Sequence, residues 1–286
     1  MPPSTVAMVL AAAVAHAVWN LASKFKRGDA VLFVGAYTGA SALLCFPISL
    51  FSGAGAPQML EGPLWTGAAV SALLHTAYSL TLQAGYDRAE LGVVYPVARG
   101  TAPVLTMLLA LPLLGERLGT AAMFGASLVV AGILVVTGNP FVREGPRPMQ
   151  GLLWGVATGA TIAAYTLWDA YAVIGLHLAP LSYYATTLLL QSLILMPSVW
   201  RRRHHVRAAL RADAVPILIV AVFSPLAYLL VLTAMLSAPV ALVAPLRESS
   251  IVIGSLVACL WFREGHLARR LAGAAVVLAG IAAISL

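Results

Sequence analysis

"LLGERLGTAAMFGASLVVAGILVV", residues 113–136, returns near the C-terminus as "FREGHLARRLAGAAVVLAGIAAI", residues 262–284. Glu116 aligns with Glu264, Gly125 with Gly273 and Gly132 with Gly280. Each copy is a turn holding an acidic residue, followed by an apolar helix with glycines seven residues apart. Two further pairs extend the duplication. "HAVWNLAS" (16–23) matches "YTLWDAYA" (165–172), setting Trp19 over Trp168 and Asn20 over Asp169. With one residue gapped, "VVYPVARG" (93–100) matches "ALVAPLRE" (241–248), setting Pro96 over Pro245 and Arg99 over Arg247.

The composition says what medium the repeat lives in. Of 286 residues 61% are hydrophobic and 9% charged, with a mean hydropathy of +0.93. A soluble domain carries about 25% charged residues. So much apolar surface is accommodated only where a bilayer solvates the outside of a helical bundle. A crossing takes about 20 apolar residues, and ten such segments are expected, near 4–23, 30–52, 63–85, 90–113, 119–138, 151–173, 180–200, 214–236, 239–262 and 267–286. The first is read as a retained span: "AVAHA" resembles a cleavage site, but "MPPST" lacks the basic leader of a signal peptide.

The repeat unit is then five spans. An odd number per unit turns the second copy upside down, which is the pattern of inverted-repeat transporters. The expected fold is an all-α membrane protein of ten transmembrane helices in two inverted five-helix repeats, 1–138 and 151–286, joined by a linker at 139–150. Lysine and arginine set its orientation. Loops after the odd-numbered spans hold fourteen of them and the opposite side only Arg117. By the positive-inside rule the odd loops are cytoplasmic and both termini lie outside. The same rule accounts for the high pI, so no nucleic-acid partner is expected. "RRRHHVRAALRAD" (201–213) could contact anionic lipid, but a topology signal suffices to explain it. Cys45 and Cys259 sit in apolar runs as packed thiols.

Ionisable residues inside a span cost about 2.5–3.5 kcal/mol on insertion scales. Arg99 and Arg247 incur that cost near mid-depth, and Glu248 follows the second. In a watery cavity the arginines could hold a carboxylate or phosphate through paired N–H donors; in a packed interior they would be a buried ion pair locking two helices. Neighbouring helical residues point about 100° apart, so Arg247 and Glu248 are not expected to neutralise each other along one face. Asp169 beside Trp168, with Tyr165 one turn away, could receive an organic cation or carry a coupling proton. Alternatively it is a solvated residue at the membrane edge. Its counterpart Asn20 has Trp19 beside it and His16 one turn back. Tyr78 and Tyr95 join these as substrate-binding candidates, with His75, Gln83 and Tyr228 as weaker ones; Glu248 and Asp169 are the coupling candidates. Glu116 and Glu264 are explained as charges complementing a helix dipole. Gly151, Gly155 and Gly159, like Gly35 and Gly39, read as close helix packing.

Enzyme signatures are missing: no His-Glu-x-x-His, no Gly-x-Ser-x-Gly, no P-loop and no metal-type cysteine spacing. No cofactor or metal is expected, and the absence of a P-loop leaves ion or solute gradients as the energy source. A different class, a polytopic membrane enzyme acting on lipid, remains as an alternative.

The "GER" turn after span four, the "REG" turn after span nine, the Gly-x6-Gly helix after each, and "HAVWNLASK" closing span one together resemble the EamA type of the drug/metabolite transporter superfamily. The resemblance covers essentially the whole chain. It implies a ten-helix basket whose central cavity is lined mainly by spans one, three, four, six, eight and nine. It also implies movement of small metabolites or drugs, commonly outward, by a multi-pass protein of a bacterial inner (plasma) membrane. Many relatives have a basic N-terminus placed in the cytoplasm, whereas here "MPPST" and the loop charges argue the reverse. The expected partners are a small polar solute, amino-acid-like or another carboxylate, membrane lipids and protons as coupling ions; a monomer suffices.

Overall fold

The computed structural model describes residues 1–23, 25–52, 57–89, 91–137, 148–253 and 267–285. Among them there is no strand. The α-helices are α1 (Pro3–Ser23), α2 (Ala30–Phe51), α3 (Gly62–Arg88), α4 (Leu91–Leu113), α5 (Thr120–Thr137), α6 (Pro148–Ile174), α7 (Pro180–Arg201), α8 (Arg203–Ala212), α9 (Ala214–Met235), α10 (Val240–Arg247) and α11 (Leu267–Ser285). A short 3-10 turn, Pro57–Leu60, precedes α3. Among the described residues three helices combine the length and apolarity of a membrane crossing: α1, α2 and α9, with mean hydropathies of 1.7, 1.8 and 2.5. Helices α3, α4, α6 and α7 also have the length, at about 1.5 Å per residue; α3 and α7 are more polar in composition, and polar side chains of these four helices build the interior described below.

The helices pack in pairs that repeat across the two copies. Helix α1 lies on α9 and α3 lies on α6; α4 lies on α6 and α10 lies on α1; α2 meets α7, α4 meets α10 and α5 meets α11. Exchanging each helix for its repeat counterpart turns the first pair into the second and the third into the fourth, and leaves the last three unchanged. The fold is therefore a two-repeat helical bundle. Glycines show how α5 and α11 meet. A Cβ on Gly125 would stand 2.7 Å from the carbonyl oxygen of Gly280, and one on Gly132 would stand 2.8 Å from that of Gly273. A step forward along α5 is thus a step back along α11, so the two copies of this helix run antiparallel. Gly155 and Gly159 of α6 fit as closely onto α4, where a Cβ would meet Val97 at 2.6 Å and Thr101 at 2.7 Å. Gly35 meets Val199, whereas Gly39 has open space beside it.

Contacts between connecting segments fall into two sets. At one end, the N–H groups of Arg27 and Gly28 donate to the Asp213 carboxylate at 2.8 and 2.9 Å, and Arg202 donates to both oxygens of Asp29. This joins the segment after α1 to those on either side of α8. At the other end, Gln58 bonds the His177 carbonyl and the Ala179 N–H, Thr5 bonds Ser237, and Glu116 accepts from the N–H groups of Val240 and Ala241. Among the described residues, the basic segments after α1 and around α8 share one end, and the segments after α2, α4, α6 and α9 share contacts in the second set. Asp29 also caps α2 through the N–H groups of Val31 and Leu32. Partial burial works against its charge, but the Leu32 N–H, the Arg202 guanidinium and the Val31 N–H together hold its carboxyl below the usual range.

The segment expected to cross at 239–262 is not one continuous helix over its described part. Helix α10 contains Pro245 and stops at Arg247. Glu248 and Ser249 then donate to carbonyls only three residues back, Pro245 and Leu246. These are the tighter bonds of a 3-10 turn. Helical backbone resumes at 250–253. Glu264 and Cys259 lie outside the described residues.

Candidate functional site

The break after α10 puts a carboxylate between two guanidiniums. Arg247 donates from Nε and Nη2 to Glu248 Oε1 at 3.2 and 3.0 Å, and Arg99 donates from Nη1 to Glu248 Oε2 at 3.0 Å. All three residues are buried, Glu248 completely. The expectation that adjacent Arg247 and Glu248 do not pair is corrected here. A helical projection treats side chains as radial spokes, but the arginine stem is long enough to fold along the surface and return to its neighbour. The second oxygen of Glu248 meets the other expectation, since it faces another helix, α4. The two repeat-related arginines therefore meet on one carboxylate. The guanidiniums carry one positive charge more than Glu248 cancels. Nη1 of Arg99 also lies 3.5 Å from Nε2 of His16 on α1. A guanidinium only donates, so that ring nitrogen is an acceptor and bears no proton.

A second polar centre forms around Asp169 on α6, which is fully buried. Its Oδ1 accepts from Ser71 of α3 and Tyr183 of α7, both at 2.6 Å. Its Oδ2 accepts from Tyr228 of α9 and lies 3.0 Å from Nε2 of His75 on α3. The reading of Asp169 as a solvated edge residue is thereby overturned: four donors from three helices replace water. Tyr165, one turn before Asp169, stacks on the His75 ring at a centroid distance of 4.1 Å, and Tyr78 and Tyr228 meet Tyr165 edge-on. Tyr165 and Tyr228 also lie within electrostatic reach of Arg247. The two centres are thus neighbours across a layer of tyrosine rings.

The remaining candidates divide. His16 and Trp19 stack edge to face at 4.8 Å beside the arginine centre, and the buried Trp19 Nε1 has no hydrogen-bond partner among the described residues. The Ser249 hydroxyl, next to Glu248, is buried and likewise unpartnered among them. Asn20 donates to the His16 carbonyl of its own helix and joins neither centre. Trp168 does not bond Asp169 itself; its indole N–H ties α6 to the Gly67 carbonyl of α3, its side chain interacts with Tyr183, and its ring leans on Tyr171. Adjacent residues on a helix point about 100° apart, so Trp168 and Asp169 face different neighbours although they adjoin in sequence. Tyr95 and Gln83 have side chains outside the described set. Reading the sequence missed Ser71, Tyr183 and Tyr184. Ser71 sits one turn before His75, a spacing that could have linked them.

Glu116 complements a helix dipole, as expected, but not that of its own α5. Its carboxylate receives the first N–H groups of α10, in the other repeat.

Sequence comparison gives two matches to the profile of the EamA-like transporter family, at residues 3–138 and 149–286. A solved crystal structure overlays on the chain with a TM-score of 0.78 at 16% sequence identity, covering 99% of this chain and 96% of that one. At that identity the likeness speaks for the fold alone. Curated proteins provide no sequence match.

Proposed function

The chain belongs to the EamA-like transporter family, part of the drug/metabolite transporter superfamily, and from that premise we propose that it is a secondary transporter of a small polar metabolite. The substrate class is an anionic or zwitterionic solute bearing a carboxylate, amino-acid-like compounds included. The observation that carries the proposal is the buried Arg99–Glu248–Arg247 cluster. Its two guanidiniums come from equivalent positions of both repeats, and they hold a carboxylate already in the geometry that a substrate carboxylate would need. Trp19 Nε1 and the Ser249 hydroxyl supply donors nearby that are unpartnered among the described residues. A buried donor without a partner is costly, and a polar solute would relieve that cost.

In this reading ten spans form two inverted halves, 1–138 and 151–286, linked through 139–150. The antiparallel meeting of α5 with α11 supports the inversion. Rocking of one half against the other gives alternating access, with outward transport across the cell membrane and both termini outside. An organic amine at Asp169 is the weaker reading, because all of that carboxylate's acceptor positions are filled by the protein. Lipid enzymology has no support in the family assignment.

Purified protein in liposomes tests this. Counterflow of an unmodified labelled carboxylate is the expected result; product formation without flux would replace transport with catalysis.

A further inference from the structure

Asp169 and Glu248, the two carboxylates of the interior, are both poorly placed to carry a proton. A carboxylate offers about four lone-pair positions, and Ser71, Tyr183, Tyr228 and His75 use all four on Asp169. A proton there would evict one of them. Discharging Glu248 would remove the carboxylate that two buried guanidiniums share, and they do not give up their own protons. His75 differs from both. Its Nε2 lies 3.0 Å from Asp169 Oδ2, and with Nε2 as the donor of that contact Nδ1 is the ring nitrogen open to a proton. Among the described residues Nδ1 has no hydrogen-bond partner, and the His75 side chain is 12% exposed where Asp169 is 0%.

The groups around the ring are of one kind. Tyr165 faces it from α6, Tyr184 from α7 and Tyr228 from α9, with Ser71 and Tyr78 on its own helix. Tyr37 and Cys45 of α2 stand behind Tyr184, and Arg247, Arg99 and Glu248 stand behind Tyr165. The charged residues of this interior, among those described, are Arg99, Arg247, Glu248 and Asp169. Two positive charges balance two negative ones when both imidazoles are neutral.

We propose that His75 carries the coupling proton, with Asp169 as its fixed counter-ion, and that the solute moving with it is a monoanion. One proton and one carboxylate travel in the same direction. A proton from water bonds to Nδ1 while the Nε2–H bond to Asp169 stays intact, leaving the interior with one positive charge. A monoanion at the arginine centre cancels it. Either one alone leaves an uncompensated charge in a medium of low dielectric, so each raises the affinity for the other, and reciprocally. This rests on the transport reading above and deepens it.

The test uses the full chain in liposomes holding a pH-sensitive dye. Counterflow of labelled pyruvate, lactate, alanine and choline comes first. If none is carried, the transport reading itself falls; if only alanine or choline is carried, transport stands and the monoanion assignment falls. For a carried monocarboxylate, proton and solute influx are measured together under membrane potentials imposed by potassium and valinomycin. The expected result is one proton per carboxylate and a flux indifferent to potential. Flux driven by potential without proton entry overturns the proposal, and this wild-type measurement decides even if a variant misfolds. In His75→Gln the proton-to-solute ratio is expected to fall from one to zero. An unchanged ratio places the proton elsewhere.

Discussion

At the scale of single residues, Glu248 bears the most. Its carboxylate lies between two buried guanidiniums and bonds both. Removing one member of a buried ion pair costs about 3–5 kcal/mol, because the partner stays buried and uncompensated. Glu248→Gln keeps the shape and removes the charge, so purified protein in detergent is expected to melt markedly lower. Unaltered melting would mean that the arginines find another anion. Arg99, Arg247, Glu248 and Asp169 were legible in the sequence because an ionisable group in an apolar run violates the local medium. The arrangement was not legible. Side-chain reach joined Arg247 to its neighbour against the helical projection, and Trp168 met α3 and Tyr183 instead of Asp169, which it adjoins. Tyr183 and Ser71 passed unnoticed for a physical reason. A tyrosine near the start of a span reads as an interfacial anchor, and a serine within a helix can satisfy itself on its own backbone.

At the scale of elements, the cap on α10 and the tie at α2 lead to distinct expectations. Glu116→Ala uncovers the first N–H groups of α10, and loss of a cap costs about 1 kcal/mol. Thermal melting should fall by that modest amount, whereas Glu264, outside the described residues, provides no such forecast. Asp29 concerns pH. Its carboxyl is held below its ordinary value of 3.8, so its pairing with Arg202 stabilises the fold above that value and is lost as pH falls through the lower, folded value. Asp29→Asn retains a capping side chain without the charge. It is expected to lower the melting temperature slightly near neutral pH, by no more than about 1 kcal/mol for so exposed a pair, and by progressively less as the pH falls through the folded-state value below 3.8. A difference that persists in acid would show that capping, not charge, is responsible. Hydrophobic run length located most helices to within a few residues. It failed at 239–262, where Pro245 interrupts a run that is apolar on both sides; the proline was visible, but hydropathy does not record a missing N–H.

On the scale of the whole molecule, the repeat was the most readable feature, since glycines and acidic turns keep their spacing through a duplication. The charge asymmetry adds an orientation that the fold leaves open: basic segments gather at one end, but nothing in the bundle says which end is cytoplasmic. A reporter fused to Leu286 that is active only in the cytoplasm is expected to stay silent, while one active only outside should report. The opposite pair of signals would invert the molecule in its membrane. The approach of α5 to α11 bears on how such a molecule moves. Helices that mesh through side-chain ridges must climb those ridges to turn. At Gly125 and Gly280 the two backbones bear directly on each other, in the one kind of pair that belongs equally to both repeats. In the alternating-access proposal above, that contact would be an axle on which one half rolls against the other, with the ion cluster held elsewhere.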